Sequence, residues 1–401
     1  MKKFKIATLG CRTNQYESQA YRDQLLALGY LEAKEGEAAD LCIVNTCTVT
    51  AAADSSSQRS VRQLVRQNTG AQVVVTGCLA QRRPDLIKKI GGVSHVVPNK
   101  EKERLLEVIF PGEQLPEFSI KNFEAHTRAF VKVQDGCNSF CTYCIIPYVR
   151  GRSRSRRIVD VIKEVEGLVA SGYKEVVITG INVGDFEEGL APLMRAVDQV
   201  EGLKRLRLSS IDPDEVDDEL LDVIVNGKTT CQSMHLVLQA GSDAVLKRMN
   251  RKYTRQMFLD SVQRLKNASA HFTFTTDLIV GFPGETKEDF AQTVAVMQEV
   301  RFAKVHMFPY SPRERTRAAL YTQLPQEVIA ERKQHLLRAA EEVAFDLRQD
   351  YIGQKMVVLT EDREGGHTDN FLPVKVAYRP NELVEVVIKE NHPDGLVGEI
   401  C

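Results

Sequence analysis

No stretch of the 401 residues approaches the roughly 20 uninterrupted apolar residues that a membrane-spanning helix needs, and the start, MKKFKIATLGC, is a short basic lead into a strand pattern rather than a signal peptide. The expectation is a soluble, cytoplasmic protein with no membrane partner. A charge surplus is missing too: 53 basic against 54 acidic residues leave a net charge of -1, so a case for nucleic acid has to rest on local patches. There is no internal repeat or low-complexity tract, and 43% hydrophobic with 27% charged residues excludes disordered and fibrous classes. The histidines are scattered, and no Ser-His-Asp order, Walker loop or HExxH segment occurs; the glycine-rich FPGE is a turn after a strand. Hydrolase and nucleotide-triphosphatase readings have nothing to stand on.

What the chain does have is cysteine. Nine residues, Cys11, Cys42, Cys47, Cys78, Cys137, Cys141, Cys144, Cys231 and Cys401, are odd in number and irregularly spread, which does not suit a disulfide framework. The length predicts two to three domains. Residues 1–118 alternate apolar strands (KIATLGC, LCIVNTC, VVVTGC) with helical runs, as an open parallel α/β sheet does. Residues 123–350 repeat the alternation through FVKV, KEVVITG, KRLRLSS, HLVLQ, FTFTTDLIV and AKVHMF. A partial (β/α) barrel and a doubly wound sheet fit that periodicity equally well. Residues 352–401, with short strands between GGHTDN, RPNE and NHPDG, predict a small all-β barrel. The fold class is therefore α/β with an appended all-β module.

Cys137, Cys141 and Cys144 stand in DGCNSFCTYCIIPYVRG at C-x3-C-x2-C spacing, directly after the first strand of the second domain. Thiolates this close converge on one metal centre, and three of them leave a coordination position open, as a reactive metal or cluster requires. A zinc site completed by a distant cysteine or histidine is the alternative. Cys11, Cys47 and Cys78 each end a strand candidate, and in an open parallel sheet the carboxyl ends of the strands share one crevice, so the three can meet there. Three independent buried thiols would be the plain alternative. Cys42, Cys231 and Cys401 read as non-ligands.

C-x3-C-x-aromatic-C, with Tyr143 as the aromatic, resembles the signature of the radical S-adenosylmethionine superfamily. Combined, the two trios resemble the methylthiotransferase family, with its second three-cysteine cluster ahead of a radical S-adenosylmethionine barrel and a C-terminal TRAM domain. The resemblance runs through LGCRTNQYES, NTCTVT, TGCLAQ, GCNSFCTYCIIPYVRGRSRSR, LSSIDP, LQAGSDAVLKRMNRKYT, DLIVGFPGE, MFPYSPRERT and EGGHTDNF. LGCRTNQYES is most similar to the subgroup acting on N6-threonylcarbamoyladenosine in tRNA; the isopentenyladenosine and ribosomal-protein subgroups typically carry an aspartate where Glu17 stands. Three features depart from the family pattern: Ala240 replaces a usual serine, Arg315 a usual glycine, and the last module is short for a TRAM domain.

The resemblance implies two [4Fe-4S] clusters, one on Cys137, Cys141 and Cys144 with S-adenosylmethionine on its fourth iron, the other on Cys11, Cys47 and Cys78 as carrier of the sulfur or methylthio group. It implies 2-methylthiolation of N6-threonylcarbamoyladenosine at position 37, next to the anticodon, using one S-adenosylmethionine as methyl donor and one as radical source. The implied partners are the tRNA anticodon stem-loop and a reductant of flavodoxin or ferredoxin type; the sulfur donor stays open and DNA is not expected. Methylthiolation of isopentenyladenosine or of a ribosomal protein side chain is the alternative within the enzymes, and a zinc-stabilised tRNA-binding protein the alternative outside them. By resemblance, Gly180, Asn182, Ser209, Ser210 and Gln239 at strand ends are candidates for holding S-adenosylmethionine, with Tyr143 against its adenine. For RNA, the candidates are Arg150, Arg152, Arg154, Arg156 and Arg157, with Arg313, Arg315 and Arg317 and a base-stacking Phe371. Residues 352–401 carry 5 basic and 9 acidic side chains, so that module is locally acidic.

Overall fold

The computed structural model describes residues 1–123 and 127–401; residues 124–126, near the expected start of the second domain, lie outside the described residues. The first sheet contains β1 (Lys3–Thr8), β2 (Leu31–Glu32), β3 (Leu41–Thr46), β4 (Gln72–Gly77) and β5 (Val93–Val96), all parallel, in the order β2-β1-β3-β4-β5. Strand β3 is buried over its whole length and β4 over all but its first residue, because α1 (Arg12–Ala27), α2 (Ala51–Gln67), α3 (Cys78–Arg82) and α4 (Pro84–Lys88) cover the sheet. The sequence showed the three central strands. The edges β2 and β5 escaped it because two residues, or four that include Ser94 and His95, carry too little apolar pattern to register.

The second body has the strands β6 (Arg128–Lys132), the short antiparallel pair β7 (Gln134–Asp135) and β8 (Arg154–Ser155), then β9 (Glu175–Thr179), β10 (Arg205–Leu208), β11 (Ser210–Ile211), β12 (Ser233–Leu236), β13 (Thr273–Val280) and β14 (Lys304–Pro309). Strand β9 pairs with both β6 and β10, β12 with both β11 and β13, and β14 with β13, all in parallel. A bridge from Leu206 to Thr230 links the two halves. Neighbour order thus follows chain order from β6 to β14, with no reversal at a switch point, which decides for the singly wound partial barrel. Helix α1 packs on the edge strand β6, and its Tyr16 and Ala20 belong to the same apolar core as the barrel strands.

The long helix Gln326–Gln349 leads to a closed small barrel of β15 (Lys355–Thr360), β16 (Gly365–Thr368), β17 (Pro373–Lys375), β18 (Leu383–His392) and β19 (Gly395–Ile400). It sits against the amino ends of the large barrel's strands. Arg205 donates to the carbonyls of His367 and Val357, Arg207 to that of Asp369, Thr273 to that of Asn370, and Arg128 pairs with Glu361 at 3.0 Å. The cysteine-bearing carboxyl ends lie at the other end. No helix among the described residues is long and apolar enough to cross a membrane.

Candidate functional site

The trio in the first body is assembled by strand register. Strands β1, β3 and β4 are neighbours, paired Thr8 to Asn45 and Thr46 to Gly77 at their last residues. Cys11 follows β1 as the N-cap of α1, Cys47 follows β3, and Cys78 opens α3 directly after β4. Two glycines make the convergence sterically feasible. Gly10 has φ +97°, and a Cβ there would stand 2.9 Å from both Cβ and Sγ of Cys47; Gly77 has φ +92°, and its Cβ would stand 2.4 Å from the Thr46 carbonyl oxygen. The "LGC" and "TGC" letters are therefore a requirement for bare backbone at the site.

The second trio lies on the loop after β7. That loop is pinned by Thr142, whose N–H donates to the Met249 carbonyl (2.9 Å) and whose hydroxyl donates to that of Arg248 (2.8 Å). Arg251 Nη1 stands 3.1 Å from Cys141 Sγ, and Arg251 is itself held by an ion pair with Asp212. The two trios adjoin, since Cys78 packs in one apolar cluster with Ile145 and Val149, just after Cys144 in the chain.

The donor set suits clusters better than a single ion. Among the described residues no three His, Cys, Asp or Glu side chains are gathered tightly enough to hold one metal ion. A four-iron cluster takes each thiolate on a different iron and asks only that the sulfurs ring a common space. Burial pushes the Cys47 thiol up to about 11, with Cys78 and Cys11 adding to it, and Cys144 up to about 12, with Cys141 and Cys137 adding. Each trio thus shares one electrostatic neighbourhood. Buried, mutually repelling thiolates are stable only with cations among them, which is what ferrous and ferric iron supply.

A cavity of about 320 Å³ opens between the two bodies, walled by Val49 and Thr50 just beyond Cys47, by Tyr143 and Cys144, and by Gln239, Asp277, Ile279 and Tyr310 at the barrel mouth. Tyr143 and Gln239, two of the residues expected around S-adenosylmethionine, are thus on its wall, Tyr143 edge-on to Phe282 at 6.4 Å. Gly180, Asn182, Ser209 and Ser210 are not. Gly180 is pressed against Gln134, Ser209 is buried, Ser210 is exposed, and the Asn182 amide donates to Glu215 at 3.1 Å. Burial raises the Glu215 carboxyl to about 7, with Asp212 adding.

Several arginines expected to face RNA face inward. Arg150 is buried, donating to Asp135 (2.8 Å), Glu17 (3.2 Å) and Asn14. Lys102 joins them, its Nζ 2.6 Å from Glu17 and 2.7 Å from Asp135, and Lys132 lies 3.5 Å from Glu17. Burial alone would raise the Glu17 carboxyl, but Lys102, Arg150 and Lys132 outweigh it and hold it at about 2. This cluster bolts α1 to the barrel beside Cys78. Arg156 pairs with Glu164 and also donates to the Tyr16 hydroxyl, and Arg313 is buried against Asp54. Arg154 pairs with Asp135, Arg157 with Asp160, and Arg152 lies 4.4 Å over the Phe140 ring. Phe371, partly exposed, stacks on His367 at 4.8 Å under the guanidiniums of Arg207 and Arg128, at the amino ends of the barrel strands and away from the cysteines, so its ring face is already engaged within the protein. Those expectations are corrected for Arg150, Arg156, Arg313 and Phe371. Arg315 and Arg317 are exposed. Cys42 and Cys231 are buried away from either trio's strand ends, and Cys401 is exposed at the terminus. Sequence reasoning passed over Lys102, Arg251 and Asp212. Charge-rich text such as NKEKER looks solvated, and only the tertiary pairing of distant segments reveals otherwise.

Comparison with known proteins bears on this geometry. Residues 131–297 match the radical SAM superfamily, and residues 3–98 match an uncharacterized protein family, UPF0004. The fold is similar to that of the radical S-adenosylmethionine methyltransferase TsrM from Kitasatospora setae, with a TM-score of 0.60 at 16% identity over 79% of this chain and 74% of that one. The chain is 49% identical, over 99% of its length and 98% of the relative's, to the threonylcarbamoyladenosine tRNA methylthiotransferase MtaB of Chlamydia pneumoniae. It is 37% identical over 96% and 94% to the MtaB of Bacillus subtilis, and 34% identical over 100% and 95% to the tRNA-2-methylthio-N(6)-dimethylallyladenosine synthase of Carboxydothermus hydrogenoformans. The chain belongs to the radical S-adenosylmethionine methylthiotransferase family. Its cofactors are accordingly S-adenosylmethionine and [4Fe-4S] clusters.

Proposed function

We propose that the protein converts N6-threonylcarbamoyladenosine at position 37 of tRNA to its 2-methylthio derivative. The observation that carries the reading is the adjacency of the two cysteine trios, Cys78 packing with Ile145 and Val149, beside a cavity that Cys144 lines together with Val49 and Thr50. Cys137, Cys141 and Cys144 would hold one [4Fe-4S] cluster, leaving an iron free for S-adenosylmethionine, and Cys11, Cys47 and Cys78 a second. When bound, the clusters and S-adenosylmethionine supply the one-electron and sulfur chemistry that an unactivated aromatic C–H demands and side-chain acids and bases cannot. The chain's own part is positional. Tyr143 and Gln239 line the cavity, Arg251 donates toward Cys141, and the Glu17, Lys102, Asp135 and Arg150 cluster fixes the first trio against the second.

With Arg150 occupied internally, the phosphate contacts fall to other cations. Arg59, Arg62 and Arg66 stand exposed along one face of α2, none with an ion pair among the described residues, beside Lys88 and Lys89 at the end of α4. A flavodoxin- or ferredoxin-type reductant completes the partners, and the site of action is the cytoplasm.

Two variants test the reading. Cys141→Ala should abolish 5'-deoxyadenosine formation, while Cys47→Ala should spare it and block methylthiolation, measured by mass spectrometry of tRNA nucleosides from complemented deletion strains. Anaerobically reconstituted protein should hold about eight iron atoms and Cys47→Ala about four. Equal loss of both activities, or about four irons in the unaltered protein, would overturn it.

A further inference from the structure

Arg12 immediately follows the cluster cysteine Cys11 and opens α1, yet its guanidinium does not turn to solvent. It lies 5.3 Å over the ring of Phe130 on β6, within the fields of Arg128, Arg207, Asp277 and Glu175, that is, inside the barrel. Its neighbours are already matched: Arg128 with Glu361, Arg207 with Glu175 at 2.8 Å, and Arg205 with Glu175 at 3.7 Å. Arg12 itself makes no ion pair or hydrogen bond among the described residues. A half-buried guanidinium short of an anion is a costly arrangement unless an anion arrives.

A second, independent vacancy lies nearby. Nε2 of His235 on β12 is buried without a hydrogen-bond partner, 3.5 Å from Asp277 Oδ1, while its Nδ1 is 2.9 Å from the Thr275 hydroxyl. His306 on β14 faces His235 at 5.8 Å and senses Arg12. Asp277 is also part of the cavity wall that Cys144 shares. The cavity therefore runs from Cys144 toward Asp277, beside a corner that holds the Arg12 guanidinium without an ion pair and an imidazole nitrogen without a hydrogen bond.

We propose that Arg12, with His235 beside Asp277, forms a carboxylate-binding subsite at the inner end of this cavity, taking the free carboxylate of the threonyl group on the substrate's N6 substituent. The inference rests on the reading above and adds what selects that substrate: an aliphatic N6 group would leave Arg12 buried and uncompensated, so it is rejected rather than merely unrewarded. The other carboxylate that could reach this space belongs to S-adenosylmethionine, and the experiment separates the two.

Holoprotein with S-adenosylmethionine is titrated anaerobically against two fluorescent anticodon stem-loops, one bearing N6-threonylcarbamoyladenosine and one its threonine amide, which is uncharged. The unaltered protein should bind the carboxylate form about 10- to 100-fold tighter, the range for a charge-assisted hydrogen bond. Arg12→Gln should bind both alike, Arg12→Lys should keep part of the preference, and S-adenosylmethionine affinity and iron content should stay unchanged in both. No preference in the unaltered protein, preference surviving in Arg12→Gln, or a selective loss of S-adenosylmethionine affinity would overturn the subsite while leaving the substrate reading standing. Conversion of an isopentenyladenosine stem-loop in place of the threonylcarbamoyl one would overturn the reading itself.

Discussion

Replacing Lys102 with methionine tests whether the buried charge cluster is what joins the first body to the barrel. Lys102 and Glu17 are fully buried, and the ammonium sits 2.6 Å from Glu17 and 2.7 Å from Asp135. Methionine matches the stem and removes the charge, leaving two carboxylates to share Arg150, Lys132 and Arg154. Removing one partner of a buried pair costs about 3–5 kcal/mol; with other cations still in place the lower end applies, about 3 kcal/mol. In urea unfolding of the apoprotein at pH 7.5 that is a midpoint shift of about 1 M for a slope near 3 kcal/mol/M. Adding Glu17→Gln should recover about 1 kcal/mol or more, because the two sites touch and their effects cannot add. Glu17 is depressed from 4.5 to about 2, so its contribution is fully present above 4.5 and is lost as the pH falls through about 2. A loss under about 1 kcal/mol at pH 7.5, with additive effects in the double variant, would refute the clamp.

Three further outcomes are expected. Glutamine at Arg59, Arg62 and Arg66 together should weaken tRNA binding for all sequences alike and reduce the slope of log affinity against log salt by about 2–3, read by filter binding across a salt series. Glu215→Gln should stabilise the apoprotein by about 2 kcal/mol at pH 8 and change little below pH 4.5. The raised pKa of about 7 favours the folded state when protonated, and that advantage disappears as the pH rises through 7, where a glutamine has no charge to bury. Phe371→Ala should cost about 2 kcal/mol by thermal melting, through lost packing and cation–π contact, and leave tRNA affinity unchanged; the opposite pattern would restore the base-stacking role.

Much of this was legible in the chain because it obeys local rules. The three central strands of the first sheet and the six of the barrel announce themselves as apolar runs, and a cysteine at the end of each of β1, β3 and β4 follows from strand register alone. The arginine-rich stretch after Cys144 misled for a physical reason. Residue type says that a guanidinium is charged, but whether it meets phosphate or a buried carboxylate depends on Glu17 and Asp135, which lie 133 and 15 residues away from Arg150. Phe371 misled likewise, since an aromatic in a polar loop reads as exposed until the loop is seen docked on Arg128 and Arg207.

The first turns of α1 show why the two bodies have to be held so firmly. Cys11 is a proposed cluster ligand, and Arg12 enters the barrel. One turn on, Asn14 and Glu17 receive Arg150, while Tyr16 packs into the barrel core and hydrogen-bonds Glu164 at 2.9 Å. Arg12 and Tyr16 lie on one side of the helix and Asn14 and Glu17 on another, so a rotation of about 100°, the consequence of a one-residue slip, would remove both sets from register together. A charged cluster costs more to desolvate than an apolar seam of the same area, but it tolerates far fewer alternative alignments, because every shifted register leaves a buried charge without its partner. For a site assembled from two separately folded cysteine trios, fixing that register matters more than the stability an apolar seam would add.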